Sequence, residues 1–110
     1  MIVKTKGHLY ELENFENKKV SGQNIQFIEK DTDPSGIGVG GDGVTLYTVN
    51  DGTTNEEVLE MMIDRMQYLQ AKFPCRENAI VITKLEESLM WLNKRTSDRV
   101  KRNVEGKHLA

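Results

Sequence analysis

A chain of 110 residues, 29% of them charged and with a mean hydropathy of −0.55, has room for one small domain and is too polar for a membrane span of about 18 apolar residues. Its net charge of −2 hides an uneven distribution: residues 94–110 hold six basic and two acidic side chains, so an acidic body ends in a basic tail. That pattern points to a localised anionic partner rather than general nucleic-acid coating, and the single Cys75 excludes an internal disulfide and a cysteine-rich zinc site.

The start, Met1-Ile2-Val3-Lys4, runs straight into a strand-like pattern without the apolar stretch of a secretory leader. Three short runs rich in Ile, Val, Tyr and Phe follow one another: Ile2 to Thr5, His8 to Leu12 and Asn24 to Glu29. Lys6-Gly7 suits a tight turn between the first two, and residues 14–22 form a polar, turn-rich link to the third. Thr45 to Val49 reads as a fourth strand, closed by Asn50-Asp51-Gly52. Residues 2–49 thus predict a small antiparallel sheet. Between its third and fourth strands lies a stretch from Asp31 to Gly43 with five glycines. A phosphate-binding loop would run into a helix N-terminus and carry a lysine; here the glycines run into a strand and the nearest charge is Asp42, so a plain hairpin connection is expected.

Two helices are expected next. Thr53-x-x-Glu56 and Thr54-x-x-Glu57 each offer a capping box. Val58, Met62, Met66, Leu69 and Phe73 recur at helical spacing and predict one apolar stripe. Pro74 lacks an amide hydrogen and disfavours the α region at Phe73, so the helix stops there. A second helix restarts near Cys75 and carries Ile82, Leu85, Leu89 and Leu92. The short connection forces an antiparallel hairpin over about residues 54–100, and the chain reads as one α+β domain over residues 1–110, with a β-rich part at 1–52 and the hairpin and tail at 53–110. Leu59, Met61 and Ile63 on the first helix, and Ile80 and Trp91 on the second, fall outside these stripes and need cover from a sheet or another subunit.

No constellation suited to bond-making stands out. His8 and His108 are isolated, Glu86 and Glu87 point in different directions on a helix, and Cys75 beside Arg76 is a lone thiol in a turn. The distinctive polar groups lie on the hairpin. Asn78 occupies the apolar stripe of the second helix, Tyr68 sits one turn before the bend, and Arg95 and Arg99 share a face near the C-terminal end. The two arginines also suit a helix C-terminus, which favours cations, and as exposed end charges they are expected to matter little to stability. Seventeen residues separate Asn78 from Arg95, about 25 Å along a helix, so they cannot grip one small ligand within a single chain. Two hairpins paired head-to-tail would bring Tyr68 and Asn78 of one copy beside Arg95 and Arg99 of the other, making two identical pockets by twofold symmetry. Each would offer an aromatic face, an amide and two guanidinium groups, a set that suits a nucleotide.

The blocks FPCREN, ITKLEE and MWLxxRTxxR closely resemble those of the phage Thoeris anti-defence proteins of the first type. These share a helical hairpin domain with the second anti-CBASS protein, and the strand region at the start of this chain also looks like theirs. The resemblance implies a sponge, in the cytoplasm of the infected bacterial host, that binds a glycocyclic ADP-ribose signal and holds it without cleaving it. It further implies binding of cyclic di- and trinucleotides of CBASS immunity at separate sites, and dimers assembling into a hexamer. Carried over by motif, Asn78, Arg95 and Arg99 match the family's ligand-contacting positions and Tyr68 its aromatic one; the glycine-rich stretch has no usable family pattern. No catalytic residue, metal ligand or cofactor is implied.

Two other readings are set against this one. A nucleotide hydrolase would need a base, nucleophile or metal cluster, and none is evident. A nucleic-acid-binding hairpin would need an unbroken basic stripe, which Glu86, Glu87 and Asp98 interrupt.

Overall fold

The computed structural model describes residues 1–32 and 46–101. Five strands precede two long helices, so the expected α+β class holds. The chain forms two compact units, the first over Met1–Thr54 and the second beginning at Asn55. Each has its own logic.

In the first unit, β1 (Ile2–Thr5), β2 (Leu9–Leu12) and β3 (Gln23–Gln26) make an antiparallel sheet in that order, with β2 central and half-buried along its whole length. The expected turn between β1 and β2 is present: the His8 amide donates to the Thr5 carbonyl at 2.9 Å, and Gly7 takes a φ of +79°. That sign at the third position of a turn is the reason for glycine there. The Asn14 side chain organises the following link, its amide donating to the carbonyls of Asn17 and Ser21 while its oxygen accepts from Gln23 Nε2 at 2.8 Å.

The run Asn24–Glu29, expected as one strand, changes partners part-way. Up to Gln26 it pairs with β2; from Glu29 it becomes β4 (Glu29–Thr32), antiparallel to β5 (Leu46–Asn50). The hand-over happens at Phe27, whose amide donates back to the His8 carbonyl at 2.7 Å while Ile28 donates to Thr53 at 2.9 Å. Thr53 in turn donates to the Gln26 carbonyl at 2.8 Å. Gly52 is required beside this crossing, because a Cβ there would collide with the Gln26 carbonyl. Tyr10 and Phe27 meet edge to face at 5.9 Å, joining the two segments of the unit. The glycine-rich connection lies outside the described residues beyond Thr32.

The second unit is the hairpin, α1 (Asn55–Lys72) followed by α2 (Arg76–Lys101). Because α1 opens at Asn55, Thr54 stands at the N-cap and Glu57 at the third helical position. Of the two possible capping boxes the second therefore has the right register, and Thr53 is committed instead to its bridge with Phe27. The α2 stripe is as expected, with Ile82, Leu85, Leu89 and Leu92 all half-buried. On α1 the seam is rotated. Leu59 and Ile63, expected outside the stripe, are half-buried with Val58, Met66 and Leu69, whereas Met62 and Phe73 are exposed, at 36% and 74%. The seam rows run 59-63-66-70 on α1 and 78-82-85-89-92-96-99 on α2, alternating steps of four and three. This is the 3.5-residue period of a left-handed supercoil, and a straight-helix projection drifts away from it within a few turns.

Among the described residues no apolar side chain is fully buried. Met61, Ile80, Met90 and Trp91 are more than two-fifths exposed and form apolar surface outside the seam.

Candidate functional site

The four residues singled out in the sequence occupy two ends of the hairpin. Tyr68 lies on the last full turn of α1, 55% exposed, with Lys72 Nζ 5.1 Å from its ring centroid. The next helical turn thus places a cation on the ring face. Asn78 sits in the first turn of α2, half-buried in the same row as Ile82 and Leu85. Its carboxamide has no hydrogen-bond partner among the described residues, so donors and acceptors lodged in an otherwise apolar row remain available.

The turn that carries Asn78 is fastened by Cys75, expected as a lone thiol in a turn, and by Gln70, which no motif singled out. Gln70 Nε2 donates to the Cys75 carbonyl and the Cys75 amide donates to Gln70 Oε1, both at 3.0 Å. Cys75 Sγ accepts from the Asn78 amide at 3.4 Å, in the place an N-cap oxygen would take. One signal was available. Gln70 continues the 59-63-66 row, and a polar residue on a seam just before a proline has a reason to be there.

At the other end of α2, Arg95 is exposed and has no ion-pair or hydrogen-bond partner among the described residues. It lines a small concavity of about 240 Å³ with Trp91, Lys94 and Asp98, where Lys94 Nζ lies 3.0 Å from Asp98 Oδ2. Arg99 differs from what was expected. It is 7% exposed, the sole buried residue among those described, and it is partnered. At a 3.5-residue period Arg99 falls on the same row as Asn78 and Leu92, not on the exposed face with Arg95. The expectation of two equivalent helix-end charges is therefore corrected.

A second concavity, about 560 Å³, runs beside the seam between Ile63 and Leu89 and is rimmed by Glu60, Asp64 and Glu86. It is the larger of the two, but three carboxylates give it the wrong sign for an anionic ligand. The unpaired guanidinium and the indole belong to the smaller one. Within one chain the bend end and the arginine end are about 25 Å apart along α2, so the structure does not bring Tyr68 and Asn78 to Arg95.

The Acb2/Tad1 hairpin domain matches residues 41–97, just over half of the chain. The chain belongs to this family. Over 66 residues it is 59% identical to a protein named Thoeris anti-defense 1 from Bacillus phage SBSphiJ7, an alignment that covers 59% of this chain and 46% of that protein. The matched part thus spans less than half of the relative's length. Tyr68, Asn78 and Arg95 lie inside the Acb2/Tad1 segment, and Arg99 falls two residues beyond it.

Proposed function

We propose that this protein is a non-catalytic sponge that binds and sequesters a signalling nucleotide of host immunity, a glycocyclic ADP-ribose of Thoeris defence, and so protects an infecting phage. One observation carries the reading: at opposite ends of α2, the half-buried Asn78 amide and the Arg95 guanidinium beside Trp91 have no partner among the described residues. The amide suits the edge of a base and the guanidinium suits a phosphate, while Tyr68 supplies a face for stacking. Neither group is a nucleophile or a general base at neutral pH, which supports holding over cleaving. The name of the phage relative supports the defence context.

Because the two ends are far apart in one chain, each pocket takes Tyr68 and Asn78 from one copy and Arg95 from a second, in at least a dimer, with dimers assembling by resemblance into a hexamer. The exposed side chains Ile80, Met90 and Trp91 favour such assembly. Cyclic di- and trinucleotides of CBASS immunity are further candidate ligands, at separate sites. The protein acts in the cytoplasm of the infected bacterial host.

Titration calorimetry with a glycocyclic ADP-ribose, followed by heating the complex and chromatography of what is released, tests this reading. A nanomolar dissociation constant, about −12 kcal/mol, with intact ligand recovered, is expected. A cleaved product would establish a hydrolase instead, and absence of binding at micromolar protein would refute the sponge.

A further inference from the structure

The first turn of α2 is weakly held by its own cap. A helix start leaves its first amides without intrahelical partners, and the usual remedy is a side-chain oxygen at the N-cap. Here the cap is Cys75 Sγ, a weak acceptor, 3.4 Å from the Asn78 amide. Pro74 precedes it and contributes no donor. Left to this cap alone, the turn that carries Asn78 would fray, and with it the placement of the carboxamide.

We propose that Gln70 is a positioning residue for Asn78, acting across the bend through the backbone of Cys75. The Gln70 amide engages both backbone groups of Cys75, donating to its carbonyl and accepting from its N–H at 3.0 Å each. The same carbonyl also accepts from the Ala79 amide at 3.2 Å, the first intrahelical bond of α2. One side chain of α1 thus fixes the peptide from which the first turn of α2 is measured. A carboxamide suits this at neutral pH, because its nitrogen donates while its adjacent oxygen accepts. Glutamate would keep the acceptor and set a carboxylate against a carbonyl; methionine would keep the length and lose both bonds. The functional part of this inference rests on Asn78 being a ligand contact, as proposed above.

The test is a double-mutant cycle with Gln70→Met, Asn78→Ala and the pair, read by calorimetry with a glycocyclic ADP-ribose and by amide hydrogen exchange at Asn78 and Ala79 in the free protein. Gln70→Met should weaken binding about five- to tenfold and speed exchange at those two amides, with no further loss when Asn78 is already alanine. Gln70→Glu should fall between the parent and Gln70→Met. Equal losses in both backgrounds would show a merely structural role and overturn the proposal, as would unchanged exchange at Asn78 and Ala79. If Asn78→Ala binds like the parent, the reading of Asn78 as a ligand contact fails, and the exchange measurement still decides whether Gln70 holds the turn.

Discussion

The bend and the open end of the hairpin are built on opposite plans. At the bend a polar residue, Asn78, sits in the apolar row with its carboxamide unspent, and its backbone is fastened by Cys75 and, through it, by Gln70. At the open end two arginines one turn apart divide the work, Arg95 exposed and unpaired among the described residues and Arg99 buried and partnered. Spacing by three and four places residues on a common face only approximately. Once the seam follows a 3.5-residue period, neighbours on a helical wheel part company, one falling on the inward row and the other on the exposed face. Stability and affinity should therefore separate at the open end and be traded against each other at the bend.

The largest effect is expected from Arg99→Ala. Removing a buried, partnered guanidinium loses its packing and its interaction together, which costs about 2 kcal/mol. Urea denaturation should show a clear drop in midpoint; an unchanged midpoint would return Arg99 to the class of surface charges. Arg95→Ala should do the reverse. Its loss should weaken binding of a glycocyclic ADP-ribose about ten- to a hundredfold, since a charge-assisted bond to phosphate contributes about 1.5–3 kcal/mol. Stability should move by less than about 0.5 kcal/mol. Arg95→Lys should recover only part of the affinity, lacking the planar fork.

Asn78→Leu sharpens the contrast from the other side. Leucine completes the apolar row and should raise stability by about 1 kcal/mol while abolishing binding. A variant that is less stable than the parent would mean that the carboxamide contributes to the fold. The smallest effect belongs to Lys94→Ala. Its ammonium is already engaged by Asp98 on the surface, so stability should change by less than about 0.5 kcal/mol and affinity by about two- to threefold, as calorimetry would show.

Much of this was legible in the sequence. The bend at Pro74 and the α2 row from Ile82 to Leu92 follow from proline chemistry and helical spacing. The α1 row did not, because Val58, Leu59, Met62 and Ile63 are all apolar and a straight-helix count cannot choose between adjacent stripes. The hand-over at Phe27 was invisible for a similar reason: Asn24–Glu29 has strand composition throughout, and only its partners differ. Tyr68, Asn78 and Arg95 stand out as candidates from residue type and position, and their exposure or lack of a partner is what the structure adds. The role of Gln70 depends on a turn geometry that no periodicity encodes.

The central claim is that each pocket is shared between two copies, and complementation tests it most directly. Asn78→Ala and Arg95→Ala chains, each expected to bind poorly alone, can be co-expressed and titrated as a mixture. In a mixed dimer one pocket collects both substitutions and the other has neither. With random pairing, about a quarter of the sites should then bind a glycocyclic ADP-ribose with the affinity of the parent. A mixture that binds no better than either variant, although the chains have exchanged, would contradict a pocket built from two copies.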